Sequence, residues 1–344
     1  MSGHLDILAP YLLDHLLNAH TEAEAMRMAR RLARAELAPA RHLDVDAAML
    51  ACFGHEAYEG VASVSAADDF GAGFTPGHWL RADPVHLRAD PTRVILFDAD
   101  SVGLDNTESD ALLAHLNAAF PAQELQFERA AAPTRWYVRM SAPVSLALAS
   151  PRSLRGTAVE DSLGALRRAG ALNRLMTEAQ MLLYEAPTNL ERVAQGRAPI
   201  NSVWFWGGGT APILKSGHYH AVLGDDALLG ACARHVGITH RREPGVLREA
   251  LGAGDGNVLL LDHVEAEGFD IARFAHEVLA PAVAALASGR LATLVIHTHR
   301  GQLRMNRAAR WKLWRRAGVF LDGLRRALDD ASDATGQAPR GGAH

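Results

Sequence analysis

The sequence predicts an α/β protein: a mostly parallel sheet with helices on both faces, joined to a small α+β segment. Three observations carry this. In the second half, apolar strand-like runs alternate with helix-like runs, the rhythm of strand–helix–strand units. The 344 residues are 49% hydrophobic, enough for a large core. The polar residues that punctuate the strand-like runs cluster at their carboxyl ends, where open α/β sheets place their sites.

The elements follow in order. Residues 20–38 predict a helix, with Thr21 as N-cap, Glu24 as its capping-box partner and Met26, Ala29, Leu32 and Ala33 along one face. A shorter helix is expected over 45–54. The Gly, Asp, Ser and Pro content of 64–78 predicts a loop and a soft boundary. Pro84 and Pro91 place the run from Trp79 at an edge. VILF at 94–97 and RWYVRM at 135–140 are strands, and 107–120 is a helix capped by Thr107 with Asp110. A helix over 159–185 stops before Pro187, and the strand VWFW follows. HYHAVLG then leads to a helix capped by Asp225 or Asp226. Next come strand NVLLLDHV, helix 269–289, strand LATLVIHT, and a helix beginning at Asn306. The expected divisions are 1–63 as the N-terminal part of the core, 78–150 as the α+β segment, 151–330 as the α/β core, and 331–344 as a disordered tail.

Composition narrows the function. A net charge of −4 gives no global argument for nucleic acid or a membrane surface. No uninterrupted apolar stretch reaches spanning length, and the N-terminus lacks a signal-peptide pattern. Cys52 and Cys232 form neither a disulfide framework nor a zinc motif, and suit a reducing cytoplasm. Arg304, Arg307 and Arg310, with Trp311 and Trp314 beyond, offer basic and aromatic interleaving. An apolar stripe from Leu313 to Leu328 makes those arginines a solvated back instead, so nucleic acid is not the expected partner.

Two constellations remain. Gly207, Gly208 and Gly209 follow two tryptophans and a phenylalanine directly, so a loop there approaches something closely: a ligand, or the chain itself. No Lys-Ser/Thr follows, so it is not a P-loop. Asp262 and His263, with Glu265, Glu267 and Asp270, and His297 and His299 offer carboxylates and imidazoles at two strand ends. Their types suit a divalent cation, although no ligand-spacing rule is met.

LNRLM (172–176), LLYEAPTNLERVAQGRAPINSVWFWGGGTAP (182–212) and AVLGDDALLGACARHVGI (221–238) resemble the cofactor-independent phosphoglycerate mutases of archaeal type, within the alkaline phosphatase superfamily. LRADPVHL (80–87), LLLDHVEAEGFD and LVIHTHRGQ extend the resemblance to roughly 78–300, and the long N-terminal helix with RADPVHL resembles bacterial proteins labelled RpfE-type regulatory proteins. The resemblance implies a mutase-like fold and a cleft in which Arg81, Asp83 and Arg192 match family positions. With the glycine loop they form the expected ligand-binding set, for a small anionic ligand or a protein partner.

Mutases of this type use two divalent metals and a phosphoryl-carrying serine. Here the N-terminus, HLDILAPYLLDH, has no Asp-Gly and no serine motif, and the later Asp-His pair reads Thr298-His299. The expectation is a degenerate, non-catalytic or regulatory protein with no cofactor. The alternative is a phosphomutase or phosphatase holding Mn, Mg or Zn on Asp262, His263, His297 and His299.

Overall fold

The computed structural model describes residues 3–19, 22–40, 44–120, 125–146, 148–217, 219–243, 247–252, 256–262, 268–311 and 316–336. Two compact units emerge. Residues 1–49, 216–233 and 237–344 form the first; residues 50–215 and 234–236 form the second. This division differs from the expected one, because 151–215 joins 50–150 instead of the strands after 216.

Among the described residues, unit 1 holds a seven-stranded sheet made of β1 (Gly3–Leu8), β2 (Glu36–Ala38), β8 (Tyr219–Leu223), β9 (Thr239–Arg241), β10 (Asn257–Leu261), β11 (Leu291–Thr298) and β12 (Gly301–Asn306). The order is β2-β12-β11-β1-β10-β8-β9. The five strands from β11 to β9 run parallel, and β12 and β2 add an antiparallel margin. β1 lies centrally, with Leu5 and Ile7 buried on one face and Leu8 on the other, as a parallel strand covered on both faces requires. The mostly parallel sheet with its helices is the expected fold class.

Unit 2 holds an antiparallel sheet of β3 (His78–Asp90), β4 (Arg93–Asp98), β5 (Phe127–Arg129), β6 (Trp136–Met140) and β7 (Ser202–Trp206). Two expectations change here. VWFW is not a parallel strand: as β7 it pairs antiparallel with β3. β3 is central, not an edge. Its residues 78–81 pair β6 and 85–90 pair β4 along one edge, while 81–85 pair β7 along the other. Pro84 therefore sits opposite the gap between β6 and β4, where a missing N–H breaks no ladder on that edge.

Several boundaries shift for local reasons. The first long helix spans Ala23–Leu32 with Glu22 at its cap, and Glu36–Ala38 leaves the predicted helix to pair β12; Thr21 lies outside the described residues. The first part of the predicted loop is instead a helix, Val61–Phe70, whose Val61, Ala62, Val64 and Ala66 are buried, while residues 74–77 remain a loop. Asp105 and Glu108, two positions before the expected pair, form the capping box of helix Asn106–Ala119. The 159–185 helix breaks at Gly170 into Glu160–Arg168 and Ala171–Glu185, and Pro187 opens a further helix, Pro187–Ala194. Asp226, not Asp225, caps helix Ala227–His235 through the Leu229 N–H at 2.8 Å. The last predicted helix starts late. Gly301–Asn306 turns back on β11 as a strand, a 3-10 turn follows over Arg307–Trp311, and helix Ala317–Gly336 runs into the predicted tail. Arg304 and Arg307 thus share no helix face, and Leu313 and Trp314 lie outside the described residues.

Ile271–Ser288 is long and apolar enough by length and composition to cross a membrane (mean hydropathy 1.2), but Arg273 and Glu277 interrupt its apolar run and 44% of it is buried. Phe274, Val278, Leu279, Ala282 and Ala285 belong to the core of unit 1.

Candidate functional site

Because β1 lies between β10 and β11, their carboxyl ends adjoin, and backbone bonds tie the loops together. Ala9 N–H donates to His297 O at 3.0 Å, Asp262 N–H to Leu8 O at 2.9 Å, and His299 N–H to Pro10 O at 3.2 Å. Leu8, Pro10, Asp44, His297, His299 and Gln302 line a narrow recess of about 10 Å³ over this edge, room for about one water.

Three acidic side chains here, Asp262, Asp6 and Asp14, face cations or imidazoles, while Asp44 accepts from the Ala47 N–H at 2.8 Å. Asp262 is 1% exposed, and Arg273 from the adjoining helix donates to both its oxygens at 2.6 and 3.0 Å. Asp6, in the middle of β1, lies 2.7 Å from His297 Nε2 and 2.8 Å from His4 Nε2, and accepts from the Tyr219 hydroxyl at 2.7 Å. Gln302 Nε2 lies 3.1 Å from His297 Nδ1, on the side of the ring away from Asp6. Burial alone would raise the Asp6 carboxyl. The hydrogen bonds and charge of His297 and His4 outweigh that and hold it well below the usual carboxylate range. Asp14 lies 2.6 Å from Arg300 Nε and 3.4 Å from His299 Nε2, while His299 Nδ1 donates to Pro10 O at 2.6 Å. Thr298 is a turn residue: its hydroxyl donates to Gly301 O at 2.8 Å and accepts from Gly301 N at 3.0 Å, closing the β11–β12 hairpin.

Asp262 follows β10, and His297 and His299 lie at the end of β11, so they flank β1 at one sheet edge while their side chains turn to other partners. His263, with Glu265 and Glu267, lies outside the described residues. Among the described residues, no three His, Cys, Asp or Glu side chains form a metal-ligating group. Sequence reasoning missed Asp6 and Arg273. Asp6 had a signal, a lone carboxylate inside the apolar run LDILA; Arg273, eleven positions after Asp262, had none.

The expected anion set lies in unit 2 and is bound up in the fold. Arg81 donates to Asp83 from Nε at 3.0 Å and from Nη2 at 2.8 Å to each oxygen, and its guanidinium carbon lies 4.9 Å from the Tyr137 and Trp206 ring centres. Asp83 also accepts from Trp136 N at 3.0 Å and Trp206 Nε1 at 2.7 Å. Burial alone would weaken the hold of Arg81 on its proton, but the Asp83 carboxylate more than offsets this and keeps the guanidinium charged. Arg192 clamps the helix Asn106–Ala119 end: Nη1 meets Glu108 at 2.5 Å, Nη2 meets Val102 O at 2.6 Å and Nε meets Ala198 O at 2.9 Å.

The glycine triplet approaches the chain itself. Gly207 O accepts from Ala62 N–H at 2.9 Å and Gly208 O from Gly60 N–H at 3.0 Å, supplying acceptors at the start of helix Val61–Phe70, which has no side-chain cap. A Cβ on Gly208 would lie 2.5 Å from Leu80 Cδ1 and 2.6 Å from Val144 O, and one on Gly209 2.4 Å from Glu59 Cγ. Close packing demands glycine here without any ligand.

No family model matches the chain. It is similar over part of its length to phosphoglycerate mutases. A probable 2,3-bisphosphoglycerate-independent phosphoglycerate mutase of Geobacter sulfurreducens is 24% identical over 139 residues, 40% of this chain and 35% of the relative. 2,3-Bisphosphoglycerate-independent phosphoglycerate mutases of Methanothrix thermoacetophila (35% over 74 residues) and Methanosarcina barkeri (32% over 62) match 22% and 18% of the chain. The matched stretches span only 35%, 18% and 16% of these relatives' own lengths. Two solved structures align with 89% of the chain: the PH0037 protein of Pyrococcus horikoshii (14% identity, 87% of that chain, TM-score 0.46) and the cofactor-independent phosphoglycerate mutase of Thermoplasma acidophilum (15%, 90%, 0.37).

Proposed function

We propose that this chain, similar in part to the cofactor-independent phosphoglycerate mutases, is a degenerate member of that group without mutase activity. It acts as a regulatory protein, in the manner of the RpfE-type proteins its sequence resembles, by holding a small anionic ligand or a protein partner at the carboxyl edge of the parallel sheet. Its thiols suit a reducing cytoplasm.

The observation that carries this reading is the Arg273–Asp262 pair. Two dications about 4 Å apart repel strongly and need several carboxylates to offset them. Asp262 already shares both oxygens with a guanidinium, and Asp6 and Asp14 face imidazoles and Arg300. An edge neutralised from within has little charge left for two metals. Phosphoglycerate mutase and phosphate-ester hydrolysis assays with added manganese test it: no turnover is expected, and metal-dependent turnover ends the reading.

One observation favours the alternative, a metal-dependent phosphomutase or phosphatase. Asp262, His297 and His299 stand at adjoining strand ends, and with His263 they could share a Mn, Mg or Zn ion. On that reading His299→Ala abolishes activity.

A further inference from the structure

We propose that unit 1 carries a second binding site, sharing no lining residue with the recess at the carboxyl edge: a recess for a small anion with an apolar body, rimmed by Arg31, Arg34 and Arg307. The recess is a shallow one of about 50 Å³ that opens to solvent. Its floor is apolar: Val283 and Leu286 from helix Ala280–Ser288, Met305 from β12, and Ala309. Leu286, Met305 and Ala309 are themselves part of the buried core, so the floor is rigid packing and not a loose surface.

The rim has the opposite character. Arg31 stands in the last turn of helix Ala23–Leu32, Arg34 just beyond it, and Arg307 at the turn after β12. None of the three makes a side-chain hydrogen bond or ion pair among the described residues. Other arginines of the same unit do: Arg27 with Glu24, Arg241 with Glu249, Arg273 with Asp262 and Arg300 with Asp14. Three guanidiniums around one opening repel one another, although Arg31 also feels the Glu24 carboxylate, and an anion relieves that repulsion. A bare anion would leave the floor wet; an anion carrying a short alkyl or aryl body covers it as well. Among the described residues no aromatic side chain lines the recess.

Calorimetric titration of the full chain with hexyl phosphate, inorganic phosphate and hexyl glucoside tests the site, alongside sedimentation with phosphatidylglycerol vesicles. Hexyl phosphate is expected to bind at least about tenfold more tightly than either single-feature probe. Arg34→Glu with Arg307→Glu should weaken it about tenfold or more, and Ala287→Trp, at the exposed wall, should do the same by filling the recess while the unfolding midpoint stays put. Equal affinity for hexyl phosphate and inorganic phosphate overturns the proposal. So does an Ala287→Trp variant that binds hexyl phosphate as the parent does. Vesicle binding without hexyl phosphate binding also overturns it, assigning the arginines to a membrane surface.

Discussion

Asp6 shows how far a single residue can be read. A carboxylate inside LDILA marks a buried polar group, and such a group must find partners. The sequence does not say that His4, His297 and Tyr219 supply them, because those lie up to 291 positions away and meet only through strand register. The partners hold the folded-state pKa of Asp6 below its unfolded value. The stability it contributes is therefore fully present above the unfolded value, about pH 4, and is lost as pH falls below it. Urea midpoints measured from pH 6 to pH 3 should fall less steeply for Asp6→Asn than for the parent; equal slopes would show that the carboxylate is not stabilised by folding. Asp83 is the parallel case in unit 2. Its side chain and that of Arg81 are 7% and 6% exposed. Asp83→Ala strands a buried guanidinium and the N–H groups of Trp136 and Trp206, and should cost roughly 3–5 kcal/mol by urea unfolding.

At the scale of elements, periodicity located most strands and helices, and errors arose where tertiary contacts overrode local signals. VSAADDF carries turn-forming residues, yet it is helical because its apolar face is buried and the glycine carbonyls cap its start. GQLRMN alternates as a strand should, with Leu303 and Met305 inward, but the arginine-rich run after it masked that period. The glycine loop and the helix it caps act as one piece, which gives a prediction. Gly60 has φ +75°, and a Cβ there would lie 1.8 Å from Thr210 O. Gly103 has φ +63° with nothing within 4 Å. Gly103→Ala should cost about 1–2 kcal/mol from backbone strain alone, and Gly60→Ala roughly 3 kcal/mol or more, since the Thr210 backbone must also move. Thermal unfolding of the two variants checks the ranking.

At the scale of the whole molecule, the parallel sheet was legible and the division into units was not. Unit 1 is assembled from three separated stretches of chain, and β7 belongs with β3 across more than a hundred residues. Strand–helix alternation cannot reveal which sheet a strand joins, so the glycine triplet and the histidine loops, grouped in the sequence reading, fall in different units. The candidate site was legible in residue type, in Asp262, His297 and His299, but not in charge balance, because the balancing cation on Asp262 comes from a helix with no motif. That balance is the central claim. Isothermal titration of the full chain with manganese tests it most directly. No high-affinity uptake of two ions per chain is expected, and an Arg273→Ala variant should bind manganese more tightly than its parent. Tight binding of two manganese ions by the unaltered protein, lost in Asp262→Asn, would contradict it.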